Sequence, residues 1–221
     1  PRILELTEPY KPAGSDKIAA QFKDKQDRWT ATTGYMAAFC VNTDVLAKKN
    51  LPMPTSWKDL LNPKYKGEIV MPNPASSGTG YLQVVALLQG MGEQAGWKYL
   101  KDLDGNISQY IKSGSRPCRM AIAGEAAIGL SYEFVAIKAI AGGAPIKMVI
   151  PSEGAGYELE ANALMKGSKN KADAKKFLDW AVTPEAVAAY NAYKGIVVVP
   201  GGKLSDEAMK AGLPADVSTV L

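Results

Sequence analysis

The sequence predicts an α/β protein with a largely parallel sheet. Three observations carry this. Short apolar runs alternate with amphipathic stretches of helical period; Gly, Pro and Asn punctuate them at close intervals; and 47% hydrophobic with 22% charged residues over 221 residues suits a chain that buries a sizeable core. That length fits one to two domains.

Residues 35–42 (YMAAFCVN) form an apolar strand, followed by a helix over 43–49. Pro52, Pro54 and Thr55 mark a loop, Thr55 or Ser56 caps a short helix through Leu61, and 67–71 is another strand. The loop 72–80 runs into a helix whose apolar face carries Tyr81, Val84, Val85 and Leu88. A second helix over 93–103 buries Trp97, Leu100 and Leu103. Residues 107–112, a Ser-Gly-Ser-Arg-Pro turn and a short helix over 118–124 lead to a strand at 126–132, a helix to Ile140 and a strand at 145–150. After Pro151 the pattern changes: a Gly-rich loop at 153–156 precedes an alternating strand over 157–165, helices over 171–182 and 184–193, a short strand at 195–199 and a tail helix near 205–211. The chain is expected to cross between two lobes near Tyr35, Pro151 and Pro200. That groups 1–34 with 151–199 in a first lobe, and 35–150 with 200–221 in a second.

The 26 Lys and Arg against 22 Asp and Glu leave a net charge of +4, and there is no histidine. Histidine is the commonest general base near neutral pH and the commonest transition-metal ligand, so triad catalysis and mixed zinc sites are excluded within this chain. No metal and no cofactor are expected. Cys40 and Cys118 are too far apart for a CxxC motif and form either one disulfide or two buried thiols. No run approaches the ~20 apolar residues of a membrane-spanning helix. Basic residues occur in pairs such as Lys48 with Lys49 and Lys175 with Lys176, a solvated surface and not a nucleic-acid footprint. The opening Pro-Arg-Ile-Leu-Glu-Leu has neither the basic start nor the apolar run of a signal peptide.

Three constellations bear on function. Residues 73–80 (NPASSGTG) open an amphipathic helix, where free backbone N–H groups and the hydroxyls of Ser76, Ser77 and Thr79 around Gly78 make an anion site; no Gly-Lys-Ser/Thr follows, so it is not a Walker loop. Ser113, Gly114, Ser115 and Arg116 also precede a helix and add a guanidinium suited to oxyanions. In 157–162 (YELEAN), strand periodicity sends Glu158 and Glu160 to one face, where they either meet a ligand ammonium or protect an exposed edge; Tyr157, Glu125 and Tyr132 supply further polar groups.

With those residues in view, the chain resembles a known family. The run Trp57, Asp59, Leu60, Leu61, Pro63, Tyr65, Gly67, then 73–80, then Gly124, Glu125, Ala127, Ile128, Gly129, is similar to class II periplasmic solute-binding proteins of ABC importers, in the branch shared with ferric-binding proteins. Residues 113–118 (SGSRPC) and 153–164 (EGAGYELEANAL) look most like 2-aminoethylphosphonate or hexose-phosphate binders. The resemblance implies a two-lobed type II periplasmic-binding-protein fold whose first lobe is incomplete here. It also implies periplasmic capture of a small organophosphorus anion, most favourably 2-aminoethylphosphonate, delivery to an ABC permease in the membrane, and no catalysis. Self-association through the incomplete lobe is expected. Hexose phosphate is the nearer alternative; ferric ion and an enzyme of phosphorylated substrates follow. Ferric-binding relatives use adjacent tyrosines, and here that position reads Ser131, Tyr132, Glu133, Phe134. Many relatives carry histidine at Lys112 and tryptophan at Tyr157.

Overall fold

In the computed structural model, residues 2–214 are described; Pro1 and 215–221, assigned above to the first and second lobes, lie outside the described residues. The chain starts with α1 (Arg2–Leu6) and β1 (Thr7–Glu8), then β2 (Thr30–Asn42) and α2 (Thr43–Lys49). β2 begins five residues earlier than expected, because Thr30, Thr32 and Thr33 are β-branched and buried. The Asn42 side chain accepts from Val45 N–H and starts α2; Asn50, at φ 50°, ends it in the left-handed region. Next come β3 (Ile69–Pro72), α3 (Gly78–Met91), α4 (Glu93–Asp104), β4 (Ile107–Ile111), α5 (Arg116–Ile122), β5 (Ile128–Tyr132), α6 (Glu133–Ala141) and β6 (Ile146–Val149). The last elements are β7 (Tyr157–Asn162), β8 (Leu164–Met165), α7 (Lys171–Trp180), α8 (Pro184–Tyr193), β9 (Ile196–Val197) and α9 (Asp206–Lys210).

Contacts divide the chain into two units: the residues up to Tyr35 with Glu158–Ser205, and Met36–Tyr157 with the segment from Asp206 onward. In the first unit β1 pairs antiparallel with β8, the start of β2 pairs antiparallel with β9, and Ile18, Val187 and Val199 form the core. In the second, the strand order is β4-β3-β5-β2-β6, around a core that includes Phe39, Trp57, Leu60, Tyr65, Ile69 and Leu130. Phe39 and Trp57 meet edge to face at 4.8 Å.

Several expectations need correction. The sheet is mixed: β3 runs parallel to β4 and β5, but β2 is antiparallel to β5 and β6, since the long apolar run enters the middle of the sheet from the other direction. Residues 151–157 belong with the second unit, not the first. Gly154 O accepts from Trp57 Nε1 (2.9 Å), the Glu153 carboxylate accepts from Trp57 N–H and Lys58 N–H, and Ala155 is fully buried. Residues 200–205 fall in the first unit, where Asn191 on α8 donates to Gly201 O and accepts from Lys203 N–H. The buried face of α3 is Thr79, Gly80, Leu82, Gln83 and Leu87, and Tyr81 is 63% exposed. On α4 it is Tyr99 and Leu103 that are buried, while Trp97 is exposed.

The Cys40–Cys118 pair is a disulfide joining β2 to α5. Cys40 lies opposite Gly129 in the β2–β5 register, and a Cβ on Gly129 would stand 2.2 Å from Pro117 O. Only a glycine there lets the first turn of α5 approach close enough for the bridge.

Candidate functional site

Because β3, β4 and β5 are parallel, their carboxyl ends share one edge of the second unit's sheet, the edge at which open α/β sheets place ligands. The loops leaving β3 and β4 there are the two hydroxyl-rich segments. Asn73 N–H donates to Ile111 O at 2.8 Å and ties the two strand ends together. Asn73 O then accepts from Ser76 N–H and Ser77 N–H, curling the loop into α3, and Ser77 Oγ accepts from Gly80 N–H as the N-cap. Gly80 is required where it is, since a Cβ would fall 2.5 Å from Pro72 O.

This geometry trims the amides at the helix start. Ser76 and Ser77 N–H are committed to Asn73 and Gly80 N–H to Ser77, which leaves Gly78 and Thr79 N–H as the first-turn donors without an intrahelical acceptor. The loop after β4 closes directly on this start. A Cβ on Gly114 would stand 2.3 Å from Thr79 Oγ1 and 3.4 Å from Ser77 Oγ. Ser131 Oγ, at the end of β5, donates to Gly114 O at 2.8 Å, and Gln83 Nε2 on α3 donates to Ser131 O at 3.2 Å. Ser113 Oγ and Ser115 Oγ are 3.2 Å apart.

The structure therefore brings Ser77 and Thr79 against Gly114, with Ser76 and Gly78, and Ser113, Ser115 and Arg116, on the same two loops. Ser76, Gly78, Ser113 and Arg116 are exposed, Gly114 and Ser115 half-buried, and Ser77 and Thr79 buried. Chemically these loops offer hydroxyl and amide donors, with the arginine Arg116 opening α5, a set that suits an oxyanion and contains no nucleophile paired with a base.

The remaining candidates lie outside these two loops. Glu125 is exposed and precedes the amino end of β5; a strand rises about 3.3 Å per residue, so it stands on the order of 20 Å from Tyr132 and the hydroxyl loops. Tyr132 follows Ser131 and is half-buried, pointing to the opposite face of β5, and the neighbouring Glu133 carboxylate is buried and accepts from Met36 N–H. Tyr157 is exposed at the start of β7, one residue after Gly156, whose Cα sits against Ala86 of α3. Glu158 and Glu160 lie in the first unit. The Glu160 carboxylate is taken by Lys194 Nζ and Thr33 Oγ1, whereas Glu158 is exposed and accepts only a local bond from Leu159 N–H among those described.

Gln83 and Ser131 were not among the expected residues. A signal for Gln83 exists: it follows Thr79 by four positions, so both polar side chains lie on one helix face, which also carries the buried Leu82 and Leu87. A cavity of about 340 Å³ lined by Met71, Val84, Trp97, Leu100 and Tyr110 also meets Asn73, but includes none of the hydroxyl-bearing candidates. Among the described residues no cluster of three or more Cys, Asp or Glu side chains could hold a metal ion, and no helix is long and apolar enough to cross a membrane.

The profile of the bacterial extracellular solute-binding protein family matches residues 4–217. The periplasmic binding protein AfuA from Actinobacillus pleuropneumoniae, solved with exogenous fructose-6-phosphate bound, superimposes with a TM-score of 0.85 at 36% identity, over 92% of this chain and 66% of that one. The periplasmic binding protein P5PA does so with a TM-score of 0.86 at 32% identity, over 98% and 69%. A curated Haemophilus influenzae protein, itself uncharacterised, is 40% identical over 187 residues, 82% of this chain and 54% of its own length. The chain thus spans 54% to 69% of the length of these three relatives.

Proposed function

The chain belongs to the bacterial extracellular solute-binding protein family, and on that premise we propose that it captures a small organophosphorus anion in the periplasm and hands it to the membrane permease of an ABC importer. The family is one of binding proteins, and the reading includes no catalytic step. One observation carries the ligand class: Gly114 lies against the hydroxyls of Thr79 and Ser77, so the two donor-rich loops form one rim at the carboxyl edge of the sheet. In this reading Ser76, Ser77 and Thr79 hydroxyls with Gly78 and Thr79 N–H hold a tetrahedral phosphorus group. Ser113 and Ser115 hydroxyls add donors, and Arg116 supplies charge-assisted bonds.

A hexose phosphate is the ligand best supported, because a relative 36% identical was solved with fructose-6-phosphate. 2-Aminoethylphosphonate presents the same oxyanion, with an ammonium at its other end, to the same two loops. The test is calorimetry and thermal shift with fructose 6-phosphate, glucose 6-phosphate, 2-aminoethylphosphonate, inorganic phosphate and Fe(III). A ligand at 100 times its Kd raises stability by roughly 2.7 kcal/mol. A protein that answers to none of the phosphorus compounds ends the proposal.

A further inference from the structure

We propose that Gln83 is a positioning residue of the oxyanion site: through Ser131 it sets how the loop 113–116 meets the hydroxyls at the start of α3. The inference rests on the site reading given above. Gln83 is fully buried in α3, one turn after Thr79, where a leucine or methionine would fill the same space without a polar group to satisfy. Its Nε2 donates to Ser131 O, Ser131 Oγ donates to Gly114 O, and Gly114 rests on Thr79 Oγ1. These contacts close a circuit from the body of α3, through β5 and the second loop, back to the first turn of α3.

The same side chain carries a cost. Gln83 Oε1 is buried with no hydrogen-bond partner among the described residues, and an unpaired buried acceptor disfavours folding. Donation to the Ser131 carbonyl requires the amide nitrogen on that side, so the oxygen is forced to face the other way. A residue that lowers stability while fixing the end of β5 beside the hydroxyl rim is explained by placement of that rim. The peptide geometry supplies the lever: with Gly114 O drawn toward Ser131, the trans peptide turns Ser115 N–H to the opposite side and fixes the local course of the loop.

Two variants test this, Gln83→Met, which keeps the volume, and Ser131→Ala, which removes the hydroxyl alone. Titration with fructose 6-phosphate and with 2-aminoethylphosphonate, on wild type first, reads the effect. The expected result is that affinity for whichever compound wild type binds falls tenfold or more in each variant. The thermal midpoint of ligand-free Gln83→Met is unchanged or raised, and the double variant is no weaker than the weaker single variant, because the two act through one linkage. Wild type that binds neither compound overturns the site reading itself. Wild type that binds, with both variants within twofold of it, overturns the inference and leaves the site reading standing. Loss of affinity only in proportion to a lowered thermal midpoint likewise assigns Gln83 to packing.

Discussion

Opening the Cys40–Cys118 bridge should remove a large part of the protein's stability. Both cysteines are fully buried, and 78 positions separate them in sequence. In the chain-entropy treatment the cross-link lowers the entropy of the denatured ensemble by 2.1 + 1.5R ln n cal/mol/K, which for a loop of this size is about 15 cal/mol/K, or about 4.5 kcal/mol at 25 °C. Native domains are stable by only about 5–15 kcal/mol, so the loss is a substantial fraction of the whole. The assay is equilibrium urea denaturation of the oxidised protein against the same protein in dithiothreitol, with a non-reducing peptide map to verify the bridge. At a slope of about 3 kcal/mol per M, 4.5 kcal/mol lowers the midpoint by about 1.5 M. Cys40→Ala with Cys118→Ala should lose at least as much, since it also vacates packed volume where β2, β5 and α5 meet. A difference below about 1 kcal/mol between oxidised and reduced protein would refute the reasoning.

Three more outcomes follow from the same contacts. Gly114→Ala drives a methyl into Thr79, and should cost about 1–3 kcal/mol by urea denaturation together with most of the affinity for any phosphorus ligand. Ser77→Ala removes the cap of α3 and should cost about 1 kcal/mol, read as a lowered urea midpoint at unchanged slope. The backbone N–H of Thr55, then its hydroxyl, and to a lesser degree Ser56, hold the Asp59 carboxyl below its ordinary value of 3.8. Because the folded pKa is depressed, that contribution is fully present above about pH 4 and lost as pH falls through the folded value. Asp59→Asn should be less stable than wild type at pH 7, and the gap should shrink in melts recorded below pH 4.

Much of the local chemistry was legible in the linear order of residues. The hydroxyl clusters at 76–79 and 113–116 and the helix starts behind them follow from residue type and short spacing. Helical faces were less legible: Tyr81 and Trp97 are apolar enough to suggest burial, yet are exposed, while Gln83 lies buried with its amide donating to the Ser131 carbonyl of β5. Glu158 and Glu160 both lie on β7, but no periodicity announces that Lys194, from a distant segment, takes up the second carboxylate.

Residue order alone thus settles most of the strands and helices beyond residue 35 and which short stretches carry donors, because those depend on steric preference and spacing over a few residues, whereas α1, β1 and the start of β2 carry no such local signal. Chain folding settles the antiparallel entry of β2, the choice of disulfide over free thiols, the exile of Glu125 to the far end of β5, and the contact of Gly114 with Thr79. Each of these is a meeting of residues tens of positions apart. Such meetings are selected by the burial and hydrogen bonding of the whole unit, which no local pattern records.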